Sequence, residues 1–194
     1  ALKLMAEYRD LLLQYNKTTN LIGPMDRVQI EQRLLIDSLT AAATYAPTGS
    51  IMDVGSGAGL PGIPLGIVYP DLPVTLVEPR NKRVQFLQIA LTRLKLDSVT
   101  VVKSQIETAK IEKHDYVVAK AFRTPDVWLE IALDLTTPEG VMVCMHGPNA
   151  ELMPKAAELQ LERVAYTESV KTTFGAHEGD VVRSVSVFQR KRVS

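Results

Sequence analysis

The sequence has a single cysteine, Cys144, which has no partner within the chain for a disulfide bond. This excludes the disulfide-stapled folds of small secreted proteins and is typical of a reducing compartment. Long apolar runs are also missing, since stretches such as residues 65–68 and 74–77 are far shorter than the roughly 20 residues that a membrane-spanning helix needs. The first residues mix charged and apolar side chains and do not resemble an export signal. We expect a cytoplasmic protein without a membrane segment.

An excess of charge of either sign is absent as well. Lysine plus arginine and aspartate plus glutamate each number 22, so bulk charge does not attract a polyanion. Any contact with nucleic acid must then be local, at basic clusters such as Arg80, Lys82 and Arg83, Lys120 and Arg123, or Arg190, Lys191 and Arg192. Three scattered histidines and one cysteine form no recognisable metal-binding pattern. We therefore expect no metal.

Residues 1–46 are predicted to form a helical appendage. Apolar residues recur at helical spacing over residues 2–15, and a second helix is predicted over residues 26–45, with Asp26 as its N-cap and its end before Pro47. The remainder, residues 47–194, has the length of one domain with a substantial core.

From Ser50 onward, short β-branched runs alternate with helical segments. We predict strands at residues 50–54, 73–77, 98–102, 115–119 and 140–145, and helices near residues 63–68, 82–94, 126–135 and 150–159. Such alternation is typical of a parallel sheet with crossover helices. Two further strands, residues 161–167 and 181–189, have no helix between them and are expected to pair antiparallel. The predicted fold class is α/β, a Rossmann-like and mostly parallel sheet with an antiparallel C-terminal strand.

A glycine-rich loop follows the first predicted strand and opens the first crossover helix. It reads Asp53-Val54-Gly55-Ser56-Gly57-Ala58-Gly59. Glycine permits positive φ and a close approach of ligand to backbone, and doubly wound sheets bind ligands at this edge. The residues that we expect to border a ligand here are Asp53, Gly55, Ser56, Gly57, Gly59 and Leu60.

Two cofactor classes fit this loop. Gly57, Gly59 and Gly62 match the dinucleotide spacing G-x-G-x-x-G, which favours a nicotinamide oxidoreductase. However, Pro61 and Pro64 remove amide donors that a pyrophosphate would use at the helix N-terminus. A carboxylate at position 53 would repel pyrophosphate but suits the ammonium and sulfonium charges of S-adenosylmethionine. The loop therefore favours S-adenosylmethionine.

Carboxylate and apolar side chains at the ends of the next strands complete the predicted cofactor site. Glu78 ends the second strand, where an acidic residue can accept hydrogen bonds from the ribose hydroxyls of a nucleotide. Gln105, Ile106 and Glu107 follow the third strand and are expected to border the adenine, with Ile106 against the ring.

The segments DVGSGAGLPGIPLGI and NKRVQFL closely resemble the glucose-inhibited division protein B (GidB, RsmG) family. The resemblance extends upstream to YNKTTNLI and RLLIDSL and downstream to DYVVAKAF and His146-Gly147, so it spans residues 15–147. Members of this family are 16S ribosomal RNA guanine-N7 methyltransferases acting on the 530 loop. The resemblance implies a class I methyltransferase fold that binds S-adenosylmethionine through Asp53, Gly55, Gly57, Gly59 and Glu78, with 16S RNA or the 30S subunit as partner.

By the same resemblance, Arg33, Asp37 and Ser38 flank the site. Methylation of N7 requires no proton abstraction, so the residues proposed for catalysis are cations that grip phosphate or the O6 edge of the base, namely Lys120, Arg123 and Arg33. Lys120 is also expected to contact the cofactor. Phe122 is expected either to stack on the displaced base or to pack in the core. We expect a monomer.

Four positions depart from the family pattern, and all lie on the expected RNA side. Leu34 and His146 stand where histidine and lysine are usual, Lys120 replaces arginine, and Arg183-Ser184 replaces an arginine-histidine pair. Lysine lacks the planar fork of arginine, and we expect Arg123, three residues further on, to restore it in part. These departures and the neutral charge favour a methyltransferase of a small molecule or protein, while the extended motif match favours RNA. A noncatalytic sensor that binds the cofactor without transferring its methyl group is a further alternative.

Overall fold

The computed structural model describes residues 1–147, 154–173 and 179–191. These residues form a seven-stranded sheet with helices on both faces. The strands are β1 (Ile51–Val54), β2 (Val74–Val77), β3 (Val99–Val102), β4 (His114–Lys120), β5 (Thr136–His146), β6 (Leu161–Thr173) and β7 (Gly179–Arg190). Their order across the sheet is β3-β2-β1-β4-β5-β7-β6. Strands β1 to β5 pair parallel, and β7 pairs antiparallel with both β5 and β6. The predicted fold class is confirmed.

The helices lie close to their predicted positions. They are α1 (Leu2–Thr19), α2 (Arg27–Ile30), a π-helical segment (Glu31–Leu35), α3 (Ile36–Thr44), α4 (Gly62–Val68), α5 (Asn81–Leu94), a 3-10 turn (Ile106–Thr108), α6 (Pro125–Leu135) and α7 (Pro154–Glu158). The predicted helix over residues 150–159 begins outside the described residues, and its described part is α7.

The helix predicted over residues 26–45 is built from three consecutive segments. Asp26 caps it as expected, because its side chain accepts from the amide of Gln29 and the Gln29 side chain accepts from the amide of Asp26. The π-helical segment then interrupts the regular α-helical hydrogen-bond pattern. The spacing of apolar residues does not indicate this interruption. The helix ends at Thr44, before Pro47.

Helix α1 packs onto the main sheet domain and shares its core. Tyr8 and Leu12 are fully buried in the same apolar cluster as Ile63 of α4 and Leu87 of α5. The predicted boundary between an appendage and a main domain at residue 46 stays a prediction.

The two faces of the sheet carry two separate apolar clusters. Alternate residues of a strand point to opposite faces, so Ile51 packs in one cluster and Met52 in the other. Trp128 of α6 is 1% exposed in the second cluster, and Cys144 of β5 lies there too. Burial raises the pKa of the Cys144 thiol to about 12, as expected for a buried strand residue.

The carboxyl ends of the parallel strands meet at one edge of the sheet, where the loops after β1, β2, β3 and β4 come together. Among the described residues, each helix is too short or too polar to cross a bilayer. Within the same residues, histidine, cysteine, aspartate and glutamate form no group of three that could hold a metal ion.

Candidate active site

The glycine loop after β1 adopts the backbone conformation that its sequence predicts. Gly55, Gly57 and Gly59 have φ angles of 71°, 59° and 94°, in the left-handed region that favours glycine. The amides of Gly55 and Ser56 donate to the Val77 carbonyl at 2.9 and 3.1 Å. These bonds hold the loop against the end of β2, beside Glu78.

Asp53 is fully buried and holds the glycine loop by hydrogen bonds. Its Oδ2 accepts from the amide of Gly62 at 2.8 Å, and its carbonyl accepts from the Ser56 hydroxyl at 2.8 Å. A Cβ on Gly62 would lie 2.2 Å from Leu76 Cδ2, so glycine is needed for this close approach of α4 to β2. Oδ1 of Asp53 is buried without a partner among the described residues. Burial raises the pKa of the Asp53 carboxyl to about 7.

Glu78 joins the loop to the start of α5. One carboxylate oxygen accepts from the Gly57 amide at 2.9 Å and the other from the Arg80 amide at 2.8 Å. Arg83 Nη1 lies 3.6 Å from Oε2, and the Glu78 side chain is only 2% exposed. A carboxylate has about four acceptor positions, so two remain for hydroxyl donors such as those of a ribose.

Helix α1 contacts the same loop. The Tyr8 hydroxyl donates to the Ala58 carbonyl at 2.6 Å, and Tyr8 is fully buried. Burial and the nearby Asp53 carboxylate raise the pKa of Tyr8 well above its usual value, so the hydroxyl keeps its proton and donates. Sequence reasoning assigned Tyr8 only to the apolar face of a helix.

A cavity of about 300 Å³ lies between the glycine loop and the ends of β2, β3 and β4. It is lined by Gly55, Val77, Pro79, Ser104, Gln105, Ile106, Glu107, Phe122 and Arg123. All three residues predicted to border an adenine, Gln105, Ile106 and Glu107, are therefore brought to one cavity. Its mixture of apolar walls and polar atoms fits a nucleoside. Leu60, by contrast, lies in the apolar core, 9% exposed.

Phe122 forms a wall of this cavity. Its ring meets Trp128 edge-on, with ring centroids 6.3 Å apart, and a Cβ on Gly55 would lie 2.4 Å from Phe122 Cδ2. Phe122 is half-buried: its ring lies against Gly55 of the glycine loop and also packs against the second apolar cluster. Stacking of this ring on a displaced base stays a prediction.

The residues predicted to bind the substrate, Lys120, Arg123 and Arg33, do not form one cluster. Arg123 pairs with Glu107 at 3.1 Å and lies over the Phe122 ring, 5.1 Å from its centroid. Lys120 instead donates to the Arg33 carbonyl at 3.3 Å and lies 3.8 Å from Asp37. Lys120 thus contacts the backbone of Arg33, while Arg123 lines the cavity.

The histidines described by the structure have structural partners. His114 is buried and contacts the Glu112 carbonyl and the Thr75 hydroxyl. His146, at the end of β5, contacts the Gly147 carbonyl and the Ser186 hydroxyl. His177 and Arg192 lie outside the described residues. In the last basic cluster, Arg190 donates to three backbone carbonyls and so supports the fold.

A family model described as "rRNA small subunit methyltransferase G" matches residues 1–179, which include the glycine turn after β1, the acidic residue after β2 and the residues that line the cavity. The chain belongs to the GidB family. The match extends beyond residues 15–147, on which the resemblance was based, and it sets aside the nicotinamide oxidoreductase.

Curated relatives agree with the family model. A protein named ribosomal RNA small subunit methyltransferase G from Xanthomonas axonopodis is 37% identical over 151 residues, covering 76% of this chain and 71% of that protein. The protein of the same name from Alkaliphilus metalliredigens is 34% identical and covers 73% of this chain. The alignment with that second relative spans only 62% of its length.

Solved structures support the fold of this GidB family member. The structure of M. jannaschii TYW2 in complex with AdoMet superposes with a TM-score of 0.62 at 16% identity, covering 82% of this chain and 77% of that chain. Coclaurine N-methyltransferase gives a TM-score of 0.64 at 12% identity, covering 87% and 72%. Together with family membership, they confirm a class I methyltransferase fold and the prediction of S-adenosylmethionine as the cofactor.

Proposed function

We propose that this protein transfers the methyl group of S-adenosylmethionine to N7 of a guanine in 16S ribosomal RNA. The observation that carries the proposal is the family match over residues 1–179, which covers both the cofactor loop and the basic residues beside it. The geometry of the loop, Glu78 and the cavity supports a nucleoside cofactor.

The residues that would hold the cofactor follow from the contacts above. Gly55 lines the cavity without a side chain, and the backbone of Ser56 and Gly57, which follow it in the loop, would border the central part of the cofactor. Glu78 would accept from the ribose hydroxyls with its remaining lone pairs. Ile106 and Phe122 would enclose the adenine. The unpartnered Oδ1 of Asp53 would accept from a donor of the cofactor that reaches beneath the loop.

When bound, S-adenosylmethionine supplies an electrophilic methyl group on a positively charged sulfur. Guanine N7 has an in-plane lone pair, so no residue of this chain has to remove a proton before methyl transfer. The residues instead contribute orientation, by holding the reacting atoms in line within a cavity. Cations beside the base would contact phosphates or the O6 edge, since positive charge develops on the purine itself.

The proposed substrate is a single-stranded or extruded guanine, because a base inside a duplex does not reach a cofactor cavity. Lys120 and Arg33, at the end of β4 and in the π-helical segment, would contact RNA. Arg123, on the cavity rim with Glu107, would contact the RNA only by exchanging that partner. We further propose that the protein acts as a monomer on the 30S subunit or free 16S RNA, in the cytoplasm where ribosomes assemble.

Incubating the protein with labelled S-adenosylmethionine and 30S subunits from cells that lack this activity tests the proposal. We expect label in 16S RNA, at a position that chemical cleavage at N7-methylguanine locates. A Glu78→Gln variant serves as the cofactor-site control and should transfer little label. Label only in metabolites or proteins would indicate the small-molecule or protein methyltransferase. Tight cofactor binding without any transfer would indicate the sensor.

A further inference from the structure

A single buried carboxylate, Asp37, contacts two cations from distant parts of the chain. Its Oδ2 lies 3.3 Å from Nε of Arg183 on β7 and 3.8 Å from Nζ of Lys120 at the end of β4. The Asp37 side chain is 2% exposed, whereas Lys120 and Arg183 are 18% and 39% exposed. The anion is therefore inside the protein, and both cations reach toward solvent.

Lys120 has a second acceptor in the same helical segment. Its Nζ donates to the carbonyl of Arg33, which lies in the π-helical segment directly before α3. Such π segments interrupt the regular hydrogen-bond ladder and are frequent at functional sites. The segment from Glu31 through Asp37 thus fixes Lys120 through both a backbone and a side-chain oxygen.

The two cations lie at the edge of the sheet where the cofactor cavity is found. Lys120 is the last residue of β4, and Phe122, which follows shortly after it, is a wall of the cavity. Arg183 precedes Ser184, which pairs with His146 at the end of β5. A substrate that approaches the cavity from the β4 and β5 side would therefore meet both cations.

The charges of this group sum to one positive charge. A buried carboxylate is strongly disfavoured without partners, so Asp37 keeps both cations near it. Their long side chains are consequently ordered before a ligand arrives, which lowers the entropy cost of binding. Phosphate is the group of RNA that such cations recognise, and it contributes most of the affinity of nucleic acids for proteins.

We propose that Asp37 is a positioning residue, whose buried carboxylate orients Lys120 and Arg183 as a preformed pair for one phosphate of the RNA substrate. The inference rests on the proposed function. Asp37 acts through the two cations and contacts neither the cofactor nor the RNA.

The test is Asp37→Asn, which keeps the shape of the side chain and removes its charge. We expect KM for 30S subunits to rise about tenfold, equivalent to about 1.4 kcal/mol, because the ordered pair is lost. A change confined to binding should leave kcat and the Kd of S-adenosylmethionine within about twofold of wild type. The matched control is Glu7→Gln, which removes an exposed carboxylate of α1 that pairs with Lys3 and should leave all three quantities unchanged.

Coupling between variants separates positioning from a general structural role. In a Lys120→Met, Arg183→Met background, Asp37→Asn should raise KM by less than about twofold, because both cations that Asp37 orients are absent. An equal rise in KM in both backgrounds, or a wild-type KM for Asp37→Asn alone, would overturn the inference. A parallel loss of cofactor affinity and thermal stability would overturn it too.

If Asp37→Asn does not fold, the variants Lys120→Met and Arg183→Met, alone and combined, test whether the two cations act as a pair. If the double variant raises KM by less than the product of the two single-variant fold-changes, the two cations share a phosphate site. A rise in KM equal to that product overturns the inference. Methyl transfer to 16S RNA by the wild-type protein distinguishes a failure of the proposed function from a failure of the inference about Asp37. Absence of any transfer to 16S RNA by the wild-type protein refutes the proposed function and this inference with it, whereas normal transfer with an unaffected Asp37→Asn refutes the inference alone.

Discussion

Replacing Tyr8 with phenylalanine removes the hydrogen bond by which helix α1 holds the glycine loop. The Tyr8 hydroxyl donates to the Ala58 carbonyl at 2.6 Å, inside the protein, and Ala58 lies between Gly57 and Gly59. The phenyl ring would keep all apolar contacts of the tyrosine. The substitution therefore isolates one polar contact between α1 and the loop.

The expected loss of stability follows from the burial of this bond. Leaving a buried carbonyl without its donor costs about 1–3 kcal/mol. For a chain of 194 residues, a loss of about 2 kcal/mol lowers Tm by roughly 4–8 °C. The loop would also occupy its binding conformation for less of the time, so the Kd of S-adenosylmethionine should rise by roughly three- to tenfold.

Tyr116→Phe provides the matched control. Tyr116 is 1% exposed, and its hydroxyl has no hydrogen-bond partner among the described residues. Removing a buried hydroxyl that has no partner is expected to be neutral or stabilising. Differential scanning calorimetry and isothermal titration with S-adenosylmethionine on the wild type and both variants measure the two effects.

Two results would refute this reasoning. An unchanged Kd for Tyr8→Phe, with a lowered Tm, would mean that α1 stabilises the fold without ordering the loop. Equal losses in Tyr8→Phe and Tyr116→Phe would mean that the hydroxyl of Tyr8 has no special partner in solution.

Three further predictions concern the residues around the loop. Because burial raises the pKa of Asp53 to about 7, its contribution to stability is present at low pH and is lost as pH rises toward 7. Between pH 5 and 8 the wild type should lose about 2–3 kcal/mol relative to Asp53→Asn in urea unfolding, and parallel curves would contradict this. Glu78→Gln keeps one acceptor oxygen but places its amide NH₂ against the backbone N–H of either Gly57 or Arg80. The Kd of S-adenosylmethionine, measured by titration, should therefore rise about 10- to 100-fold. An unchanged Kd would exclude a role of Glu78 in cofactor binding. Gly62→Ala places a Cβ 2.2 Å from Leu76 Cδ2 and should cost about 1–3 kcal/mol in denaturant unfolding. Wild-type stability would show that α4 shifts without cost. The matched control is Gly147→Ala, where a Cβ has open space and φ is not positive, and its stability should stay close to wild type.

The fold and the cofactor loop could be predicted because their signals are local. Alternation of β-branched runs with helical segments indicates parallel strands, and the capping residue Asp26 marks a helix start by its own chemistry. The glycines at 55, 57 and 59 follow a strand directly, and their positive φ values are a property of the loop itself. The position of Glu78 beside the loop could be predicted for the same reason, since the end of a strand is visible in the sequence.

The contacts that join distant segments could not be predicted in this way. Nothing in the order of residues indicates that the Tyr8 hydroxyl reaches Ala58, or that one oxygen of Asp37 lies near both Lys120 and Arg183. Sequence reasoning placed Arg123 beside Lys120 because they are close in the chain, but a residue with φ of 52°, Ala121, lies between them, and their side chains have different partners.

The sequence by itself determined the architecture, the family and the conformation of the glycine loop, because hydrophobic periodicity, turn chemistry and short motifs act over a few neighbouring residues. Only the tertiary structure decided which charges share a partner, which walls enclose the cavity and how α1 holds the loop. Those outcomes depend on how packed layers bring distant side chains within a few ångströms, and packing depends on the whole chain.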